Sequence, residues 1–172
     1  MRIGVISDTH GYFNSKVREV LAGVELILHA GDIGALRVVT ELERIAPVVA
    51  VHGNMDRGAA TRQQYPLTRV LRLGDLNLLL VHRMSDGLAE ITRRRGNGAN
   101  GRIDVLVYGH THRVENAWRD GMLYFNPGLG GLPRNYQSAT VGILTLEDGE
   151  ARGEVVNLDW TIPVLGRSWP AE

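Results

Sequence analysis

At 172 residues the chain has room for one domain, since domains commonly run to about 100–200 residues. Its 19 basic and 19 acidic residues cancel, which excludes a global field for long nucleic acids or membrane surfaces. With no cysteine it has neither disulfides nor thiolate metal ligands, so any metal must be held by His, Asp, Glu or Asn.

Short apolar runs of strand length recur along the chain, and several end abruptly in polar residues. The run 3–6 ends in Ser7-Asp8-Thr9-His10. It is too short for a signal peptide or a membrane span, and no later run is long enough for either, so the expectation is a cytoplasmic protein. Phe13, Val17, Val20 and Leu21 repeat at helical spacing, with Asn14 or Ser15 as the cap. The run 26–28 ends in His29-Ala30-Gly31-Asp32. A second helix follows from Leu36, Val39, Leu42 and Ile45, closed by Pro47. The run 48–51 ends in His52-Gly53-Asn54-Met55-Asp56, and the run 76–81 ends in His82. A weaker helical pattern around Leu88 and Ile91 leads into a Gly- and Asn-rich loop over 96–101. The run 105–108 ends in Gly109-His110-Thr111-His112.

From there the pattern changes. Segments 114–119 and 122–125 flank Asp120-Gly121, and 140–146 and 150–156 flank Glu147-Asp148-Gly149; both read as hairpins. β-α-β units followed by antiparallel hairpins predict an α/β fold of two packed sheets with helices outside. Residues 1–172 read as one domain, with its core over about 1–156 and a tail over 157–172 that holds Trp160, Pro163, Trp169 and Pro170.

The chemistry sits at the strand ends, where α/β sheets place their ligands. Each piece alone has a plain explanation. Asp-x-His is an ordinary capped turn, Gly-Asp and Gly-Asn are turn dipeptides, and a lone His such as His82 is more often a hydrogen-bonded residue than a ligand. Turn chemistry does not explain five such ends in order, each after its own strand and each offering Asp, His or Asn.

These motifs, with Asn126-Pro127-Gly128 and Pro133-Arg134, resemble the signature of the calcineurin-like metallophosphoesterases, and in particular their small single-domain YfcE-like phosphodiesterase branch. The likeness spans about residues 1–156. It implies a four-layer α/β/β/α sandwich of two mixed sheets flanked by helices. A dinuclear metal site would lie at the strand C-terminal ends. Asp8, His10, Asp32 and His112 would hold one divalent ion, and Asp32, Asn54, His82 and His110 the other, with Asp32 bridging. Asn54 and His110 would also steady phosphoryl oxygens, and Asp56 would orient its neighbours. Mn is the expected metal, with Fe, Ni, Co or Zn also suited to such donors. The implied reaction is attack by a metal-bound hydroxide on a small phosphodiester. The alternatives are a phosphomonoesterase, a nuclease, or a non-catalytic scaffold such as the retromer subunit of the superfamily. Homo-oligomers are common among such relatives.

The sequence also departs from that pattern. Arg83-Met84 stands where Gly-His is usual, and Arg83 either meets a phosphate or faces solvent. Met55 replaces the His general acid of the larger phosphatases and cannot donate a proton. Leu129 replaces a small polar residue, which bears on local phosphate contacts. His29 and His52 precede candidate ligands and read as structural.

Overall fold

The computed structural model describes residues 1–96, 102–133 and 137–158. The expected loop beyond residue 96 lies mostly outside these residues, as do Arg134 and the tail from 159 onward. In chain order the elements are β1 (Arg2–Ile6), α1 (Val17–Val20), β2 (Leu26–His29), α2 (Leu36–Glu43), β3 (Val48–Ala50), α3 (Ala59–Gln64) and β4 (Thr68–Leu73). There follow β5 (Leu76–Val81), α4 (Met84–Gly96), β6 (Val105–Val107), β7 (Glu115–Arg119), β8 (Met122–Asn126), β9 (Thr140–Glu147) and β10 (Glu150–Asn157).

The strands form two mixed five-stranded sheets, ordered β10-β9-β1-β2-β3 and β4-β5-β6-β8-β7. Side-chain alternation divides the apolar residues into three layers. Ile3 and Val5 of β1 meet Leu78, Leu80, Val105, Val107 and Phe125 between the sheets. The opposite face of the first sheet, through Ile6, Ile27 and Ile143, packs on Val17, Leu21, Val38 and Leu42 of α1 and α2. The opposite face of the second sheet, through Leu79, Val81 and Leu106, packs on Ile91 of α4. The result is the expected four-layer sandwich of two sheets with helices outside.

Two elements were not expected. Strand β4 lies half-buried at the sheet edge, where the exposed Arg69 and Arg72 interrupt the apolar run. The short α3 carries no apolar stripe. The first helix is also shorter than its pattern implies. It is capped at Lys16 with no side-chain bond, and Asn14 instead accepts the Lys16 N–H in a preceding turn (3.1 Å).

Candidate metal centre

The parallel hydrogen bonding of β1 to β2 continues past the strand ends and sets the first two motifs side by side. Asp8 N–H donates to Gly31 O (3.0 Å), His10 N–H to Asp32 O (2.9 Å) and Gly11 N–H to Ile33 O (2.7 Å). The second sheet joins through His110, whose N–H donates to Asp8 Oδ2 (3.0 Å). Two glycines allow this approach. A Cβ on Gly53 would lie 2.1 Å from Asp32 Oδ1, and one on Gly109 would lie 1.8 Å from Ser7 Oγ. No side chain fits at either place.

Two groups of donor atoms result: Asp8, His10 and His112, and Asp8, Asp32 and His82. His112 Nε2 lies 3.3 Å from Asp8 Oδ1 and 3.2 Å from His10 Nε2. His82 Nε2 lies 3.5 Å from Asp32 Oδ2 and 3.1 Å from Asn54 Oδ1. The His110 ring stands edge-on to that of His82, with centroids 5.2 Å apart. All seven sequence-derived candidates are thus gathered at one end of the molecule. Asp8 contributes to both groups, while Asp32 belongs to the one that holds His82.

The chemistry of the donors fits cations. Asp8 Oδ2 accepts from Ser7 Oγ (2.7 Å) and from His110 N–H, while the buried Oδ1 has no hydrogen-bond donor among the described residues. A buried carboxylate oxygen in that state is expensive unless a cation meets it. His82 Nδ1 lies 2.8 Å from Ala30 O. A carbonyl only accepts, so that nitrogen carries the proton, and Nε2 is left to face the carboxylates as a ligand would. Burial draws the His82 pKa down, but the hydrogen bond to Asp32 and the charges of Asp8 and Asp32 raise it on balance. The same carboxylates that attract a proton there would attract a metal. Burial, then the neighbouring His82 and Arg83, hold the His110 pKa below its usual value.

Backbone strain marks the same residues. Asp8, His10, Asp32, His110 and His112 all have φ between +46° and +69°. For residues other than glycine that conformation costs about 1 kcal/mol or more each, and it persists where surrounding structure enforces it.

Supporting residues come from further away. Asp56, buried, accepts N–H bonds from Ile33 (3.1 Å), Gly34 (2.8 Å) and Gly53 (2.8 Å), tying the Asp32 loop to the Asn54 loop. These bonds fix the two loops, and none of them runs to another candidate side chain. Asn126, of the Asn126-Pro127-Gly128 motif, donates to Gly109 O (2.9 Å) and accepts from Gly128 N–H (2.9 Å), fixing the loop that carries His110 and His112. Nothing local in the sequence assigns it that task. His29 is structural: its Nδ1 accepts from Gly31 N–H (3.2 Å), so Nε2–H donates to Thr9 Oγ1 (2.9 Å). The His52 ring meets the Gly53 carbonyl (3.3 Å), and its backbone N–H donates to Pro66 O (3.1 Å). Leu129 points into the core, fully buried, so the cleft loses a polar group there without gaining an apolar one. Met55 is half exposed beside Asn54. Arg83 is exposed at the start of α4, near enough for its charge to act on His110.

Two packed mixed sheets with an Asp, His and Asn cluster at their strand ends define a metallophosphoesterase class of protein. The family model described as "Calcineurin-like phosphoesterase superfamily domain" matches residues 1–149. The chain belongs to this superfamily. It is 34% identical over 161 residues to a probable metallophosphoesterase of Methanothermobacter thermautotrophicus, covering 91% of this chain and 92% of that one. It is 28% identical to the phosphodiesterase YfcE of Escherichia coli K12, covering 84% and 87% of the two chains. The solved structure of YfcE superposes with a TM-score of 0.62. Vps29 of Entamoeba histolytica, 22% identical, shares the fold with a TM-score of 0.69 over 91% of this chain and 99% of that one. No helix among the described residues is long and apolar enough to cross a membrane.

Proposed function

We propose that this chain is a metal-dependent phosphodiesterase acting on small phosphodiesters, in a single domain that spans the described residues. The observation that carries the reading is the buried Asp8 Oδ1, without a donor, facing His112 Nε2 across 3.3 Å. In this reading Asp8, His10, Asp32 and His112 hold one divalent ion, and Asp32, Asn54, His82 and His110 hold a second, with Mn the expected metal. Bound ions of this kind lower the pKa of water toward about 7 and neutralise phosphoryl charge.

The chain's own residues supply the rest. Asn54 and His110 face the phosphoryl oxygens, and the Arg83 guanidinium beside His110 adds a positive charge suited to phosphate. Asp56 and Asn126 hold the loops and take no part in bond making. Met55 offers no proton to the departing oxygen, so esters with stable leaving groups are favoured over alkyl monoesters.

The kinship with YfcE, named a phosphodiesterase, supports the diester preference. The likeness to Vps29 is one of fold alone and favours no second reading. The test is hydrolysis of an activated aryl phosphodiester by the full chain loaded with Mn²⁺, and loss of that hydrolysis on chelation. The Asp32→Asn variant should lose on the order of 1,000-fold in rate, about 4 kcal/mol of barrier. Absence of turnover with Mn, Ni, Co, Fe and Zn alike refutes it.

A further inference from the structure

A second site lies at the other end of the second sheet. The metal-centre residues follow the C-terminal ends of β5 and β6. Near the N-terminal ends of β6 and β8, a cavity of about 460 Å³ opens against the C-terminal half of α4. That volume falls within the roughly 300–1,000 Å³ of small-molecule sites.

Its lining does not share the chain's neutral charge. Arg94 and Arg95 of α4, Arg102 before β6 and Arg119 of β7 all contribute, against the single carboxylate of Asp120. The floor is apolar and aromatic, formed by Ile91, Ile103, Met122 and Tyr124. Cations at a helix C-terminus favour the helix dipole. That explains Arg93, which pairs with Glu90 (2.7 Å), and it covers Arg94 and Arg95 in part. It does not explain why Arg102 and Arg119, from two other elements, converge on the same space.

Carboxylates match these arginines only in part: Arg102 stands 3.8 Å from Asp104 and donates to Gly121 O. Glu90 is engaged by Arg93 through both oxygens and stands 3.9 Å from Arg94. Arg94 Nε, a buried donor, meets no acceptor among the described residues. No carboxylate among the described residues pairs with Arg95. Arg119 is tied to Glu115, and its guanidinium lies over the Tyr124 ring, 5.0 Å from the centroid. A planar cation stacked on an aromatic floor offers one flat face to a ligand, while the remaining guanidinium groups offer forked donors to oxyanions.

We propose that this cavity binds a small phosphorylated molecule with a flat apolar body, of the nucleoside monophosphate class. The phosphate is held by Arg94, Arg95 and Arg102, and the base lies on the floor beside Tyr124 and Arg119. The site is separate from the metal centre and stands whether or not that centre turns over.

The probe is AMP, titrated calorimetrically into the full, chelator-treated chain, with inorganic phosphate as comparison. Arg95→Gln removes an exposed side chain without a carboxylate partner, and Leu88→Trp places bulk in the cavity from a half-exposed position. The expected result is AMP binding at least tenfold tighter than phosphate. Arg95→Gln should weaken it at least tenfold, through loss of one charged hydrogen bond. Leu88→Trp should block it, and His112→Ala should leave it unchanged. No binding of AMP overturns the proposal, as does binding that survives Arg95→Gln and disappears in His112→Ala. Equal affinity for phosphate and AMP overturns the assignment of an apolar body.

Discussion

Seven described residues other than glycine hold a left-handed backbone conformation, and they fall into two regions. Asp120 and Asp148 each precede a glycine of positive φ in a two-residue hairpin turn, between the pairs Arg119 with Met122 and Glu147 with Glu150. That geometry is the ordinary one for an Asp-Gly turn, set by neighbours in sequence. The other five are Asp8, His10, Asp32, His110 and His112. Their conformations are enforced from a distance, by bonds such as Asp8 N–H to Gly31 O and His110 N–H to Asp8 Oδ2. The same dihedral angle is a local habit in one region and an imposed one in the other. Changes to what enforces it should therefore be costly at the strand ends and nearly silent at the hairpins.

The largest effect should follow Asp56→Ala. It leaves the N–H groups of Ile33, Gly34 and Gly53 without their acceptor inside the protein. Each buried unsatisfied group costs about 1–3 kcal/mol, so a loss of about 4 kcal/mol is expected after water reaches some of them. Urea denaturation of the metal-free protein measures this. A loss below about 1 kcal/mol would mean that the two loops hold their shape without the clamp.

Next is acid sensitivity. Burial depresses the His29 pKa to about 4, despite the opposing charges of Asp56 and Asp8. The unfolded chain titrates near 6.5, so protonation favours unfolding. The contribution is full above pH 6.5 and is lost as pH falls from 6.5 toward 4, amounting to about 3 kcal/mol. Urea midpoints across that range should fall for the native chain and flatten for His29→Gln. A parallel slope in both would place the acid sensitivity elsewhere.

These two residues also show how far the sequence is readable. The candidate ligands could be picked out because each follows an apolar run of its own, a pattern confined to neighbouring positions. The hairpin turns were legible for the same reason. Asp56 passed as a turn acid whose role came only from family resemblance, since its three partners lie across two loops. Asn126 serves the loop of His110 from β8, a relation that appears only once β6 and β8 pair. Strand β4 escaped because edge strands need little apolar continuity. Its pairing with β5 from Thr68 with Val81 to Leu73 with Leu76 supplies what its own composition does not.

A smaller effect of opposite sign should come from Asp8→Asn. The amide oxygen can still accept from Ser7 and from His110 N–H, while the unpaired carboxylate oxygen facing the histidines becomes a donor. At pH 8, without metal, the variant should be more stable by about 1 kcal/mol, as expected where charge is gathered for function at the expense of stability. It should also lose metal-dependent hydrolysis. A variant less stable than the parent would show that Asp8 is already well compensated in the metal-free state.

The smallest effect should be Asp148→Gly, and it is the control on which the comparison turns. Glycine adopts a φ of +52° without steric cost, which relieves the left-handed aspartate, but it enlarges the unfolded ensemble. The two terms are each below about 1 kcal/mol and opposite in sign, so the change should stay within about 0.5 kcal/mol. A Cβ at the adjacent Gly149 would meet nothing within 4 Å, so the turn stands in open space. At His112 the relief is the same in kind, because its φ is +57°. His112→Gly would nevertheless remove a ring packed against His10 at 5.2 Å between centroids and a nitrogen facing Asp8. If both substitutions proved equally silent in stability and in metal content, the left-handed residues of the strand ends would be no more constrained than a hairpin turn.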